Sequence, residues 1–216
     1  MLKIGLTGGI GSGKTTVARI FETLDIPVYN SDLRARSLQQ SDRQVIEGIR
    51  RIFGPQAYMI DGKLNTSFIS SIVFTESEKL RELNAVVHPA VKRDFETWIE
   101  RWQKDEKVTP YVIQEAAILI ESGFYKNLDK LIVVTAPERM RIERVARRDG
   151  LPRENIRKRI EAQLSDAERI ALADYTIVAD ESRLVVPQVL GLHEKLLALA
   201  ENGFGIYRSG APGILV

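Results

Sequence analysis

Residues 8–15 read Gly-Gly-Ile-Gly-Ser-Gly-Lys-Thr, which matches Gly-x-x-x-x-Gly-Lys-[Ser/Thr] in full. A ring of main-chain N–H groups binds phosphate oxygens well. A chain curled tightly enough to aim those groups inward needs glycine, which permits the backbone and leaves no Cβ in the way. A lysine at 14 can reach the terminal phosphates, and the Thr15 hydroxyl can serve as a ligand to Mg²⁺. The candidate triphosphate-binding residues are therefore Gly9, Ile10, Gly11, Ser12, Gly13, Lys14, Thr15 and Thr16.

The elements around this run are those the chemistry needs. Residues 2–7 form a short apolar run that reads as a strand. After the glycines, Val17, Ile20, Phe21 and Leu24 recur at helical spacing. Gly13 thus leads into a helix whose N-terminus adds its dipole to the anion site. Residues 26–30 read as a second strand, so the chain opens as strand, glycine loop, helix, strand, the start of a parallel α/β sheet. Three later runs, 111–114, 130–136 and 175–179, have the β-branched enrichment of buried strands, making five in all. Between the second and third strands, residues 33–108 read as a mostly helical insertion. One helix there carries Val45, Ile49 and Phe53, residues 59–64 form a turn about Asp61-Gly62, and a further helix begins near His88-Pro89. Trp98 and Trp102 read as core of that insertion. A last helix carries Val185, Val189 and Leu196, and the tail 203–216 lacks periodicity and reads as loose.

Asp32 follows the second strand. Ligands of α/β sheets bind beyond the carboxyl ends of strands, so Asp32 is a candidate to take the proton from an attacking hydroxyl. Its plainer role is to cap the helix that follows.

The 216 residues carry a formal net charge of +2, but residues 139–159 alone carry eight Arg and one Lys against three acids. A +6 segment therefore sits in a body of about −4. Residues 138–165 read as an arginine-rich lid of a P-loop kinase, a type that closes such a lid over the phosphates. No Asn-Lys-x-Asp reads guanine, and the 111–114 run is followed by Glu115 where a large motor-like ATPase carries Asp. The chain has no cysteine, which rules out disulfides and thiol chemistry within it. The N-terminal residues show no signal pattern and no run is apolar enough to span a membrane, so the expected location is cytoplasmic. The basic segment lacks interleaved aromatics, so neither nucleic acid nor membrane is an expected partner.

Taken together the blocks resemble the bacterial dephospho-CoA kinase family. They are Leu-Thr-Gly-Gly-Ile-Gly-Ser-Gly-Lys-Thr-Thr-Val-Ala (6–18), Asn30-Ser31-Asp32, Leu-Asn-Ala-Val-Val-His-Pro (83–89), Ala-Ile-Leu-Ile-Glu-Ser-Gly-Phe-Tyr (117–125), Arg-Val-Ala-Arg-Arg-Asp-Gly-Leu (144–151), Arg-Ile-Glu-Ala-Gln (159–163) and Leu-Ala-Asp-Tyr-Thr-Ile (172–177). The resemblance implies ATP-dependent phosphorylation of the ribose 3′-hydroxyl of dephospho-CoA, the last step of coenzyme A synthesis. It implies Asp32 as catalytic base, Lys14 on the phosphates, and Thr15 on Mg²⁺. Arg144 and Arg148 would be lid residues that offset developing charge, and 33–108 the CoA-binding region. Arg36 and Glu121 would contribute to the acceptor site, as would His88, whose plainer role is a local cap. Arg139, Arg141 and Arg147 receive no separate assignment. Three positions depart from the family pattern: Asn30 for Asp, Ala117 for Pro, and Ala179 for Asn. The alternatives are another small P-loop kinase and a nucleotide-binding module without catalysis.

Overall fold

The computed structural model describes residues 1–104 and 109–208. Apolar strands bury themselves on both faces here, as parallel strands covered by helices must. The strands are β1 (Leu2–Thr7), β2 (Val28–Asn30), β3 (Tyr111–Glu115), β4 (Lys130–Thr135) and β5 (Tyr175–Val178), in the order β2-β3-β1-β4-β5. β1 lies at the centre, with Ile4 opposite Ile113 on one side and Leu6 opposite Ile132 on the other, both in parallel register. All five expected strands form the expected parallel sheet.

The amphipathic stripe after the glycines forms α1 (Lys14–Thr23), which buries Val17 and Phe21. These residues pack with Ile4, Leu6, Ile113, Ile132, Ile177 and, from the last helix, Val189 and Leu196 in one core. On the other face Leu119, Ile120, Leu131 and Val133 cluster separately. Burying a side chain such as Phe21 contributes about 1.5–3 kcal/mol. α6 (Glu138–Asp149), α7 (Arg153–Glu161) and α8 (Asp166–Leu172) follow β4, and the last helix, α9 (Val185–Arg208), follows β5. α9 continues six residues into the segment expected to be loose. Gly203 and Gly205 each oppose a helix by only about 1 kcal/mol, too little to stop one already about five turns long. The rest of that tail, 209–216, lies outside the described residues.

The chain divides into two compact units, Met1–Tyr29 with Glu106–Val216, and Asn30–Asp105. The second unit is helical: α2 (Ser31–Ser41), α3 (Arg43–Phe53), α4 (Thr66–Val73) and α5 (Ser77–Lys104). Its caps are side-chain oxygens. Asn30 accepts the Leu33 N–H at 2.9 Å, Asp42 the Val45 N–H at 3.0 Å, and Asn65 the Phe68 N–H at 3.2 Å. The turn at Asp61-Gly62 is present, with Gly62 donating to the Met59 carbonyl at 2.9 Å.

α5 departs from the sequence expectation. It starts at Ser77 and carries Pro89 in its interior, where a helix start was expected. Proline lacks the N–H that would reach the carbonyl one turn back. The stripe Val87, Ala90, Val91, Phe95 and Ile99 runs buried through that position, so packing outweighs the lost bond. Trp98 and Trp102 are only half-buried. Trp98 stacks on the buried Phe95 with ring centroids 6.0 Å apart and meets Trp102 edge-on at 5.9 Å, an aromatic row that runs outward from the core at Phe95.

Candidate functional site

The glycine run joins the end of β1 to the start of α1, as a phosphate cradle requires. Gly13 caps α1 with φ 99°, and its carbonyl accepts the Thr16 and Val17 N–H groups at 2.9 and 3.1 Å. The Ser12 N–H closes back onto the Gly9 carbonyl at 3.0 Å, which curls the loop. The Ser12 hydroxyl is buried and without a partner. Thus Gly9 to Thr16 form one continuous loop and helix start, as expected.

Lys14 and Thr15 converge on a group that the motif alone did not single out. The Glu115 carboxylate, 2% exposed at the end of β3, receives the Thr15 hydroxyl at 2.8 Å and the Lys14 ammonium at 3.2 Å on the same oxygen, Oε1. β3 lies beside β1, with Leu6 opposite Glu115, so sheet register brings the acid to the cradle. The signal was available: an apolar strand ending in an acid. A search restricted to Asp passes over it, although a glutamate offers the same charge one methylene further out.

Arg144, on α6, lies at the rim of the loop. Its Nη1 is 3.3 Å from the Ser12 carbonyl oxygen and 3.4 Å from that of Gly11, and Nη2 donates to the Ala179 carbonyl at 2.7 Å. Ala179, where the family pattern has Asn, therefore takes part through its main chain. Arg144 also lines a cleft of about 370 Å³ with Met140, Glu143, Arg147 and Glu181. Asp180 faces its own loop, accepting from the Ser182 and Arg183 N–H groups at 3.0 and 2.9 Å. The Ser182 hydroxyl, which donates to the same oxygen at 2.8 Å, holds its carboxyl below the usual carboxylate range, helped by those two N–H groups.

The other candidates stand differently. Arg148 is exposed and forms a two-pronged pair with Asp149, at 2.6 and 2.9 Å, instead of joining Arg144. Glu121 accepts from Nη2 of the fully buried Arg169 at 2.9 Å. Asp32 is the second residue of α2. The capping role that fell to it on sequence belongs to Asn30, two residues earlier. The Asn at 30, where the family pattern has Asp, thus supplies the side-chain oxygen that caps α2. Arg36 is exposed on the same helix. His88 is half-buried within α5 rather than capping its start, and burial pushes its pKa below the ordinary histidine value.

One side chain with no distinguishing mark in the sequence stands out. Arg141 is 4% exposed, donates through Nε to the Ile10 carbonyl at 3.0 Å and pairs through Nη1 with Asp166 at 3.1 Å. Within a segment of eight arginines, charge pattern cannot tell a buried one from the solvated rest.

The family model described as dephospho-CoA kinase matches residues 2–184. The chain is 35% identical over 191 residues to a dephospho-CoA kinase of Bacteroides fragilis, covering 88% of this chain and 91% of the relative. It is 39% identical over 208 residues to one of Chlorobaculum tepidum, covering 93% and 97%. Among solved structures it is similar to TT1252 from Thermus thermophilus, with a TM-score of 0.75 and 30% identity over 91% of this chain and 96% of the other. The dephospho-CoA kinase from Campylobacter jejuni shares the fold, with a TM-score of 0.67 and 23% identity over 91% and 97%. With the glycine loop, its lysine and hydroxyl, and the matched span running from β1 past β5, the chain belongs to the dephospho-CoA kinase family.

Proposed function

We propose that the chain transfers the γ-phosphoryl group of ATP to the ribose 3′-hydroxyl of dephospho-CoA, giving CoA and ADP, in the cytoplasm. The observation that carries this reading, beside the family, is the convergence of Lys14, Thr15 and Glu115 at the end of the glycine loop. Phosphoryl transfer asks mainly for positioning and for neutralisation of charge on the phosphate oxygens. The loop N–H groups and Lys14 meet that demand for the β- and γ-phosphates.

The donor set suits Mg²⁺. A hydroxyl and a buried carboxylate are hard oxygen donors, and among the described residues no three His, Cys, Asp or Glu side chains gather into a cage. Mg²⁺ is usually held in this way, by one or two protein oxygens and the phosphates. Thr15 would bind it and Glu115 would support it, and the ion supplies charge neutralisation on the phosphate oxygens.

Asp32 acts as the base that takes the proton of the 3′-hydroxyl. Its support is its type and its place two residues beyond β2. Arg36, His88 and Glu121 contribute to acceptor binding, with Glu121 also tied to Arg169. Arg144 stabilises charge on the transferred group from the rim of the loop. Arg148 joins it by exchanging Asp149 for phosphate, which binds the guanidinium fork with the same geometry. The cleft bounded by Arg144, Met140 and Glu181 takes the nucleoside of ATP, since Arg144 is shared by that cleft and the loop.

The decisive test is a coupled assay for ADP release with ATP, Mg²⁺ and dephospho-CoA. Release that needs all three, with CoA detected by mass, is the expected result. A nucleoside monophosphate that replaces dephospho-CoA equally well would overturn the acceptor assignment.

A further inference from the structure

Ile10 is held from three directions by the segment after β4. Its N–H donates to the Gln163 side-chain oxygen at 2.9 Å, and its carbonyl accepts from Arg141 Nε at 3.0 Å. Its side chain packs on the small apolar cluster of Ile142, Val145 and Ile156, from α6 and α7. Arg141 is in turn fixed by Asp166 at 3.1 Å. The other oxygen of that carboxylate accepts the Thr135 hydroxyl at 2.7 Å at the end of β4. Its remaining Nη2 is buried and without a partner.

From this we infer that Arg141 is a positioning residue that sets the peptide orientation of the phosphate cradle, acting through the main chain of residues 9–11. The inference rests on the reading of this loop as the ATP site. In a trans peptide the C=O and the following N–H point in opposite directions, and no cis peptide occurs among the described residues. Drawing the Ile10 carbonyl onto Arg141 therefore turns the Gly11 N–H away from α6. Arg144, three residues on along the same helix, does the same for Gly13 by holding the Ser12 carbonyl at 3.3 Å. Carbonyls anchored on the α6 side leave N–H groups on the opposite side, which is what an anion nest is made of.

Arg141 also leaves no room for a side chain at two of the loop's glycines. A Cβ built on Gly9 would lie 2.2 Å from Arg141 Nη2 and 2.8 Å from its Cζ. One on Gly11 would lie 2.5 Å from the Arg141 carbonyl oxygen, at a residue whose φ is +77°. The glycine at position 9 is thus a mate to the arginine beneath it, quite apart from any phosphate above.

The test is calorimetric ATP binding without acceptor, together with steady-state kinetics, on Arg141→Ala, Arg141→Lys, Gly9→Ala and the Gly9→Ala/Arg141→Ala pair. Arg141→Ala is expected to weaken ATP binding and raise its KM about 10–100-fold, the usual cost of losing a supporting side chain. The KM for dephospho-CoA should stay within about twofold, well under one tenfold step in affinity. Arg141→Lys should do no better, because one ammonium cannot reach both Ile10 and Asp166. Millimolar guanidinium should recover part of the alanine variant's ATP affinity. Gly9→Ala should be impaired, and the pair no worse than Arg141→Ala alone. If Arg141→Ala does not fold, Arg141→Gln carries the same readouts. ATP binding unchanged in these variants, equal losses of affinity for both substrates, or a pair whose defect is the product of the two singles would each overturn the inference. Absence of ATP binding by the unaltered chain would instead overturn the nucleotide reading beneath it.

Discussion

The Thr15 hydroxyl donates to Glu115 Oε1 at 2.8 Å across the junction of two adjacent parallel strands. The metal side of the proposed site therefore draws on an acid that lies 100 residues from Thr15 in the chain. Glu115→Gln keeps the shape and removes the charge. It should lower turnover about 10–100-fold, as loss of a supporting ligand generally does, and raise the Mg²⁺ concentration needed for half-maximal rate. A Mg²⁺ titration of the two proteins side by side checks it, and an unchanged midpoint would leave Glu115 as a partner of Lys14 only.

Asp32→Asn removes the proposed base but keeps a helix-compatible polar side chain, and the cap at Asn30 is untouched. Turnover should fall about 10²–10⁴-fold, the range that general-base groups contribute. ATP affinity should be nearly unaltered. Stopped-flow measurement of the chemical step with ATP binding measured separately decides it. Wild-type turnover in the variant would remove Asp32 from the chemistry.

Glu121→Gln bears on stability. The carboxylate faces Arg169, whose side chain is wholly buried and also donates to the Leu164 carbonyl. Replacing a charge-assisted bond by a neutral one should cost about 1–3 kcal/mol, read as a lower urea midpoint. If the acceptor KM rises as well, Glu121 serves both the fold and the substrate. A raised KM with unchanged stability would show that the Arg169 contact contributes nothing.

Acid should destabilise the protein through its two histidines. Burial holds both His88 and His193 below the ordinary value of 6.5, and His193 is 2.6 Å from the Tyr111 hydroxyl. A histidine whose folded pKa is depressed binds its proton more readily when unfolded. Its contribution is therefore complete above pH 6.5 and is lost as pH falls from there through the folded value. Urea midpoints should decline over that window, and less steeply in a His88→Gln/His193→Gln double variant. The same slope in both proteins would assign the acid sensitivity to carboxylates.

Much of this was legible in the linear sequence, for reasons that differ by element. The strands announce themselves by short β-branched runs, because a buried parallel strand needs apolar residues on both faces. The cradle is legible because its geometry restricts residue type at each step. α5 was misread at its start, since Pro89 is a local stop signal and the stripe that overrides it acts only through packing. Arg141 was hidden for a related reason: burial is a tertiary property, and its partners Ile10 and Asp166 lie 131 and 25 residues away. Arg148 stood in a family motif, yet its neighbour Asp149 engages it in this conformation.

The central place of β1 has a consequence for how the protein is made. The first strand of the sheet to be synthesised pairs on both sides with strands that begin at Tyr111 and Lys130. At about 5–20 residues per second, β1 waits on the order of ten seconds with both edges open, while the helical unit between β2 and β3 is synthesised in full. Its glycine loop is equally unformed, since the groups that grip Ile10 arrive only at Arg141 and Gln163. Nascent chains stalled before residue 111 should thus expose an unpaired hydrophobic strand to chaperones, and a cradle able to hold a nucleotide is among the last features to assemble.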